Sequence, residues 1–376
     1  MKNKVCLYIN SKFGKDLFKK IGINRILNHN FNVYHASFEK IKNKKYLNFK
    51  SNNKNLSSYL LFFIQSFKLK DISSIYRYNV IRKDFKIMFF FLLTLFLKPI
   101  FFNPKFLSFL RNKIPINTSI DQILKKQQFK YVIIFCSIYG QDEYDLIKAA
   151  RKNKIKSILI VDNWDNLATK ITLVEKPDKL LVWGKEMIDC YEMCDYLHKK
   201  YVQKKIIGSP RFSFIKSKIP ILNKNFHINK KNWEKKYNLN KIKKTILFIE
   251  HIRERDPLKI LQILDHLVKI NDLENEILII YRPHPLRKNN IIDFKVLNGL
   301  KNVKVDKSIE KLLLKSQLRD LEDKDVPLIN FLYSDSMIYC DGFISQISSA
   351  LLDLTYLGKK GLLLSEGTPK KLFDRL

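Results

Sequence analysis

Residues 341–360 read DGFISQISSALLDLTYLGKK, and the order of residue types in this stretch sets the fold expected of the whole chain. Just upstream, 337–340 (MIYC) is a short apolar run that reads as a buried strand stopping at the Asp341-Gly342 turn signal. Ser345, Ser348 and Ser349 stand where a helix N-cap belongs. Ala350, Leu351, Leu352, Leu354 and Leu357 then recur at helical spacing until Gly358. The next apolar run, 361–365 (GLLLS), reads as a further strand. Strand, helix and strand in that order favour a parallel sheet, with a ligand crevice outside the carboxyl ends of its strands.

The crevice has a definite chemistry. A helix N-terminus presents backbone N–H groups and a partial positive charge, and serine hydroxyls beside it add donors, so the place suits a phosphate or diphosphate. Asp353 lies one turn beyond Ser349, where its carboxylate would accept from sugar or ribose hydroxyls. The alternative is that Ser348 or Ser349 only caps the helix and Asp353 is a solvated helix residue.

Composition narrows the partners. The chain has 376 residues, enough for two domains, and 46% hydrophobic content with 27 Phe and 17 Tyr, which excludes a disordered chain. Its net charge of +34 draws it to polyanions, although the abundance of Lys and Asn also fits a compositional bias. No arginine-rich arm, zinc-finger spacing or RNA-binding signature accompanies the charge, so phosphate-bearing substrates and anionic membrane surfaces are the expected partners, and nucleic acid is not.

The five cysteines are scattered; Cys190 and Cys194 share a helix face but have no second pair to complete a metal site. With no secretory signal in MKNKVCLYIN, the expected location is the cytoplasm. Residues 85–110 (FKIMFFFLLTLFLKPIFFNPKFLSFL) contain an uncharged run, 87–97, too short to span a bilayer. Flanked by Lys83, Lys86, Lys98, Lys105 and Arg111, the segment is either a buried helix or one lying in a membrane interface, which would make the protein peripheral on the inner membrane face.

Strands are expected at 5–9 and 32–37 with a helix over 14–27 between them, and His35 is a candidate acceptor-site residue. Strands follow at 131–137, 157–161, 179–183 and 204–211, with helices at 142–152 and 185–199. A second alternation runs through 245–250, 257–270, 276–281 and 303–305 to the opening stretch. The expected division is a domain over 1–212, a linker over 213–244 that is basic and asparagine-rich, and a domain over 245–376.

Four motifs carry a family resemblance: DNWDNLATK at 162–170 with KPDKLLVWGKEM after it, KKIIGSPRF at 204–212, YRPHP at 281–285 and SQISSALLDLTYLGKK at 345–360. Together they resemble GT-B fold glycosyltransferases of bacterial surface and capsular polysaccharide biosynthesis, and the related CDP-glycerol glycerophosphotransferases. The resemblance covers about residues 130–365.

It implies two Rossmann-like domains facing a cleft, no bound cofactor or metal, and a nucleotide-activated sugar as donor. The acceptor would be a surface-polysaccharide or lipid-linked glycan. Donor phosphates would be met by His284, Arg282, Ser345, Ser348 and Ser349, with Arg287 close by, and by Arg253 and Arg255 in the HIRER loop. The base that deprotonates the acceptor would be Asp162, Asp165 or Asp142, with Trp164, Asn166 and Lys170 on the acceptor side. The DNWDN loop has an equally good reading as a packed structural corner. Three other functions fit parts of the pattern: a CDP-glycerol-type transferase, a nucleotide-sugar 2-epimerase of the same fold, and a basic membrane-surface scaffold with a degenerate site.

Overall fold

The computed structural model of the chain describes residues 2–10, 15, 23–38, 45–51, 56–67, 89, 92–93, 96, 104–137, 139–169, 173–194, 202–213, 215–216, 225–239, 242–250, 256–284, 294–307, 309, 335–346 and 348–364. The chain divides into two compact units, Met1–Arg211 and Phe212–Leu376.

The first unit contains strands β1 (Lys4–Ile9), β2 (Asn32–Ser37), β3 (Tyr46–Asn48), β4 (Tyr131–Cys136), β5 (Lys156–Val161), β6 (Lys179–Val182) and β7 (Gln203–Ile206). Its helices are α1 (Ile23–Asn30), α2 (Leu56–Phe67), α3 (Pro104–Lys113), α4 (Thr118–Gln127), α5 (Gln141–Lys152), α6 (Asn166–Thr169) and α7 (Lys185–Cys194). Every strand pairing is parallel, in the order β3-β2-β1-β4-β5-β6-β7. Runs such as YVIIFC suit this sheet, because a parallel strand is covered on both faces; Val132, Ile134, Phe135 and Cys136 have no exposed surface. The chain builds outward from β1 on one side and returns to β4 on the other. The edge between β1 and β4 is therefore the topological switch point.

The second unit repeats the plan with β8 (Lys244–Ile249), β9 (Ile277–Arg282), β10 (Val303–Val305), β11 (Gly342–Ser345) and β12 (Lys360–Leu363), all parallel in the order β10-β9-β8-β11-β12. Helices α8 (Phe226–Lys236), α9 (Pro257–Ile270), α10 (Phe294–Gly299), α11 (Asp335–Tyr339) and α12 (Ser349–Tyr356) accompany it. Here the switch point lies between β8 and β11. Gly361 is required between β11 and β12: a Cβ would stand 2.5 Å from the Phe343 carbonyl oxygen, so β12 pairs closely with β11 only without a side chain.

The expectation of two Rossmann-like α/β domains is met by these two parallel sheets. Four local expectations change. The stretch 213–244 is not wholly a linker, because α8 carries Trp233 into the same apolar cluster as Tyr237, Leu247, Ile280 and Phe343. Lysines and asparagines cover the outer side of FHINKKNWEKK and hide the two aromatics at i,i+4. The apolar run 337–340 belongs mainly to the short helix α11, and the strand starts at Gly342. Asp341 fixes that entry, accepting from Thr245 N at 2.8 Å and Thr245 Oγ1 at 3.0 Å. Strand β3 was not anticipated, and the helix expected over 14–27 runs on to Asn30; its residues 14 and 16–22 lie outside the described residues. Among the described residues, no helix is long and apolar enough to cross a membrane.

Candidate functional site

In the second unit, the carboxyl edge is set by register. Ile249 pairs with Ser345 on one side and Arg282 on the other, so three strands end level. The residues immediately after these strands therefore lie along one edge: Glu250 after β8, Pro283 and His284 after β9, and Gln346 and Ser348 after β11.

Ser348 is extended (φ −155°, ψ 165°) and its Oγ accepts from Leu351 N at 3.3 Å, which makes it the N-cap of α12. The first turn of α12 holds no acidic residue. Ser345 is buried and donates from Oγ to the Gln346 carbonyl at 2.8 Å, while Ser349 opens the helix half-buried. His284 is also half-buried, and its backbone N–H donates to Glu250 Oε2 at 3.3 Å. Tyr281 Oη donates to the same oxygen at 2.5 Å, so the buried Glu250 ties the end of β9 to the end of β8.

Two expected donor residues are placed differently. Arg282 is 2% exposed, and its Nη1 lies 2.5 Å from Asp306 Oδ2 in a buried ion pair. Its charge is directed at β10's end, where Lys307 N donates to Tyr237 Oη at 2.8 Å. Burial lowers the Arg282 pKa from its ordinary value, and Asp306 opposes that shift. Asp353 is buried without exposed surface instead of solvated. Arg253, Arg255, Arg287 and Lys170 lie outside the described residues.

The first unit's switch point is built from different groups. Asn10, directly after β1, bridges to β4: its Oδ1 accepts from Ser137 N at 2.9 Å and its Nδ2 donates to Glu143 Oε1 at 2.7 Å. The other oxygen of Glu143 accepts from Gly140 N at 2.7 Å, so the carboxylate folds back over the first turn of its own helix, α5. Glu143 is 4% exposed, and burial pushes its pKa up to about 7 against the pull of the Gly140 and Asn10 donors. Two residues on, Asp145 is likewise pushed up to about 7 by burial, with Gln141 and Asn117 donating to it.

The sequence candidates lie around this point. Asp142 is half-buried on α5 and accepts from Ser51 Oγ at 2.7 Å. Asp162 is buried just after β5, its N–H donating to the Cys136 carbonyl at 3.0 Å. Trp164 and Asp165 are half-buried, and Asn166 is fully buried at the start of α6. The DNWDN loop thus has the burial of a packed corner. His35 sits within the β2–β3 pairing, stacked on Tyr46 at 5.3 Å.

Sequence reading missed Glu143, Asn10 and Glu250. A glutamate at the third helical position after a glycine turn is the signature of a capping carboxylate, and would have flagged Glu143. Glu250 has only its place at the end of an apolar strand. Among the described residues, no three His, Cys, Asp or Glu side chains gather as metal ligands would.

No family model matches the chain, and no curated protein does. Solved structures resemble it weakly. The S. aureus MnaA–UDP co-structure has 11% identity and a TM-score of 0.47 over 97% of this chain and 79% of that one. The UDP-GlcNAc 2-epimerase from Neisseria meningitidis bound to UDP-GlcNAc has 13% identity and a TM-score of 0.46 over 98% and 84%. An α,α-trehalose-phosphate synthase (UDP-forming) from Burkholderia vietnamiensis has 9% identity and a TM-score of 0.43 over 94% and 86%. At such scores these likenesses carry no argument about function; the two switch points do.

Proposed function

We propose that the chain is a glycosyltransferase that takes a sugar from a nucleotide-activated donor, with the donor phosphates held by the second unit. One observation carries this reading: the two switch-point helices are capped with opposite electrostatic results. Helix α5 has Asp142 and Glu143 in its first turn, and Glu143 already covers its N-terminus. Among the described residues, helix α12 is capped by the neutral Ser348 hydroxyl and has no acidic residue in its first turn, so its dipole suits an outside anion.

On this reading the donor diphosphate lies across the N-terminus of α12, with His284 and Ser349 beside it and Arg282 bracing the edge through Asp306. When the bond from the anomeric carbon to the phosphate oxygen breaks, the electron pair leaves with the nucleoside diphosphate. N–H groups and the helix dipole stabilise that charge. The acceptor oxygen bonds the anomeric carbon as its proton passes to a carboxylate base. Asp142, Asp162 and Asp165 are candidates for that role, and Glu143, buried with its oxygens held by Asn10 and Gly140 and its pKa pushed up to about 7, is a fourth. The acceptor in this proposal is a surface-polysaccharide or lipid-linked glycan hydroxyl.

A nucleotide-sugar 2-epimerase is the second reading. The buried Glu250 at the carboxyl edge of the second unit favours keeping it, since proton removal and return need a carboxylate. Product analysis separates the two: a transferase releases nucleotide only as an acceptor grows, whereas an epimerase returns an isomeric nucleotide sugar. The underlying reading is tested by thermal unfolding with UDP, GDP, CDP, CMP and dTDP, repeated for Ser349→Ala and His284→Ala. Stabilisation by one nucleotide, weakened in both variants, supports it. Folded protein that no nucleotide stabilises contradicts both enzyme readings and leaves the scaffold.

A further inference from the structure

The uncharged run 87–97 would be expected to be buried if it formed a helix, because a helix apolar all round has no side to give to water. The described residues show two different sides. Leu93 packs against the first unit's core, whereas Phe89, Leu92 and Phe96 are 55%, 55% and 75% exposed. Residues 89, 92, 93 and 96 are all helical, and 89, 92 and 96 fall on one face.

The next described helix, α3, is built alike. Leu107 is fully buried and Phe106 and Leu110 pack on the core, while Phe109 is 54% exposed. Lys105 and Lys113 are exposed one turn to either side of Phe109, and Lys113 Nζ stands 5.2 Å over its ring. Two successive segments therefore grip one core and turn large apolar side chains outward, with Lys83, Lys86 and Lys98 in the flanking sequence.

We propose that the exposed side chains of Phe89, Leu92, Phe96 and Phe109 dock on an anionic lipid surface, with Leu92, Phe96 and Phe109 entering the headgroup–acyl boundary and Lys105 and Lys113 meeting lipid charge. The pattern is that of an interfacial segment: apolar residues towards the bilayer, with lysines whose stems lie along it and whose ammonium groups meet the headgroups. A second copy of this chain fits less well, because each copy carries +34 and the face is fringed by lysines of the same sign. Nucleic acid fits less well too, since 87–97 interleaves no cation among its apolar residues. This docking is independent of which reaction the switch points perform.

Flotation with phosphatidylglycerol–phosphatidylcholine vesicles and with phosphatidylcholine alone tests it, together with sedimentation velocity. The full chain binds the anionic vesicles at least tenfold more tightly than the neutral ones, and added salt weakens the binding. Leu92→Ser/Phe96→Ser/Phe109→Ser lowers the anionic binding at least tenfold with unchanged thermal unfolding, and Lys105→Gln/Lys113→Gln lowers it less. Three results overturn the proposal: no binding by the wild type, equal binding by the triple variant, or a wild-type dimer that the triple variant loses.

Discussion

The two units share one strand order around their switch points yet carry opposite chemistry at the edge. In the first, Asn10 and Gly140 hold a buried carboxylate, Glu143, over the start of α5. In the second, Ser348 caps α12 with a neutral hydroxyl, and the buried carboxylate that ends β8, Glu250, is tied to Tyr281 and the His284 backbone. A strand order fixes where a ligand crevice lies; the residues in the first helical turn decide whether it attracts an anion or a proton.

The difference is most sharply broken at Glu143. Glu143→Gln keeps the size of the side chain but cannot take a proton, so turnover falls about 10²–10⁴-fold while nucleotide affinity stays within about twofold. Steady-state rates beside nucleotide titrations read both numbers. Because the base must be ionised, wild-type turnover rises with pH through about 7. If nucleotide binding falls instead and turnover per bound donor does not, the carboxylate is only a cap.

Making α12 resemble α5 is the converse change. Ser349→Glu places a carboxylate in the first turn, where it competes with phosphate, and nucleotide affinity drops by about tenfold, or about 1.4 kcal/mol. The same substitution stabilises the free protein by about 0.3–1 kcal/mol through the helix dipole. Titration calorimetry and urea unfolding report these opposite signs. An unchanged affinity places the phosphates elsewhere. His284→Ala weakens nucleotide binding by a comparable or smaller factor.

A separate effect is on stability. Glu143 and Asp145 have folded pKa values of about 7, above their ordinary values of 4.5 and 3.8. The folded state therefore binds protons that the unfolded chain has released. The stability this contributes is fully present below the unfolded values and is lost as pH rises through about 7. Urea unfolding at pH 5 and pH 8 shows the decline, and Glu143→Gln makes it shallower. A steeper or unchanged slope in the variant removes Glu143 as a cause.

The sheets were readable because parallel strands buried on both faces leave unbroken apolar runs, as in YVIIFC and ILIIYR. The cap of α12 was readable for a local reason: Ser348 and the apolar period after it adjoin in sequence. What the sequence hid was non-local or masked by composition. Glu143 acquires its high pKa from burial that no pattern around it announces, and the Asn10 donor that holds it lies 133 residues away. Arg282 looked like a phosphate ligand because Asp306, its buried partner, belongs to the next strand's end. Trp233 was lost among the lysines of α8, and MIYC has a strand's composition although Asp341 delays the strand to Gly342.

The central claim is that the second unit's helix start, and not the first's, receives the nucleotide diphosphate. Amide hydrogen exchange with and without the nucleoside diphosphate that stabilises the protein tests it most directly. Slowed exchange at residues 348–351, with no change at 140–143, is the predicted result. Protection at 140–143 with none at 348–351 would contradict the account.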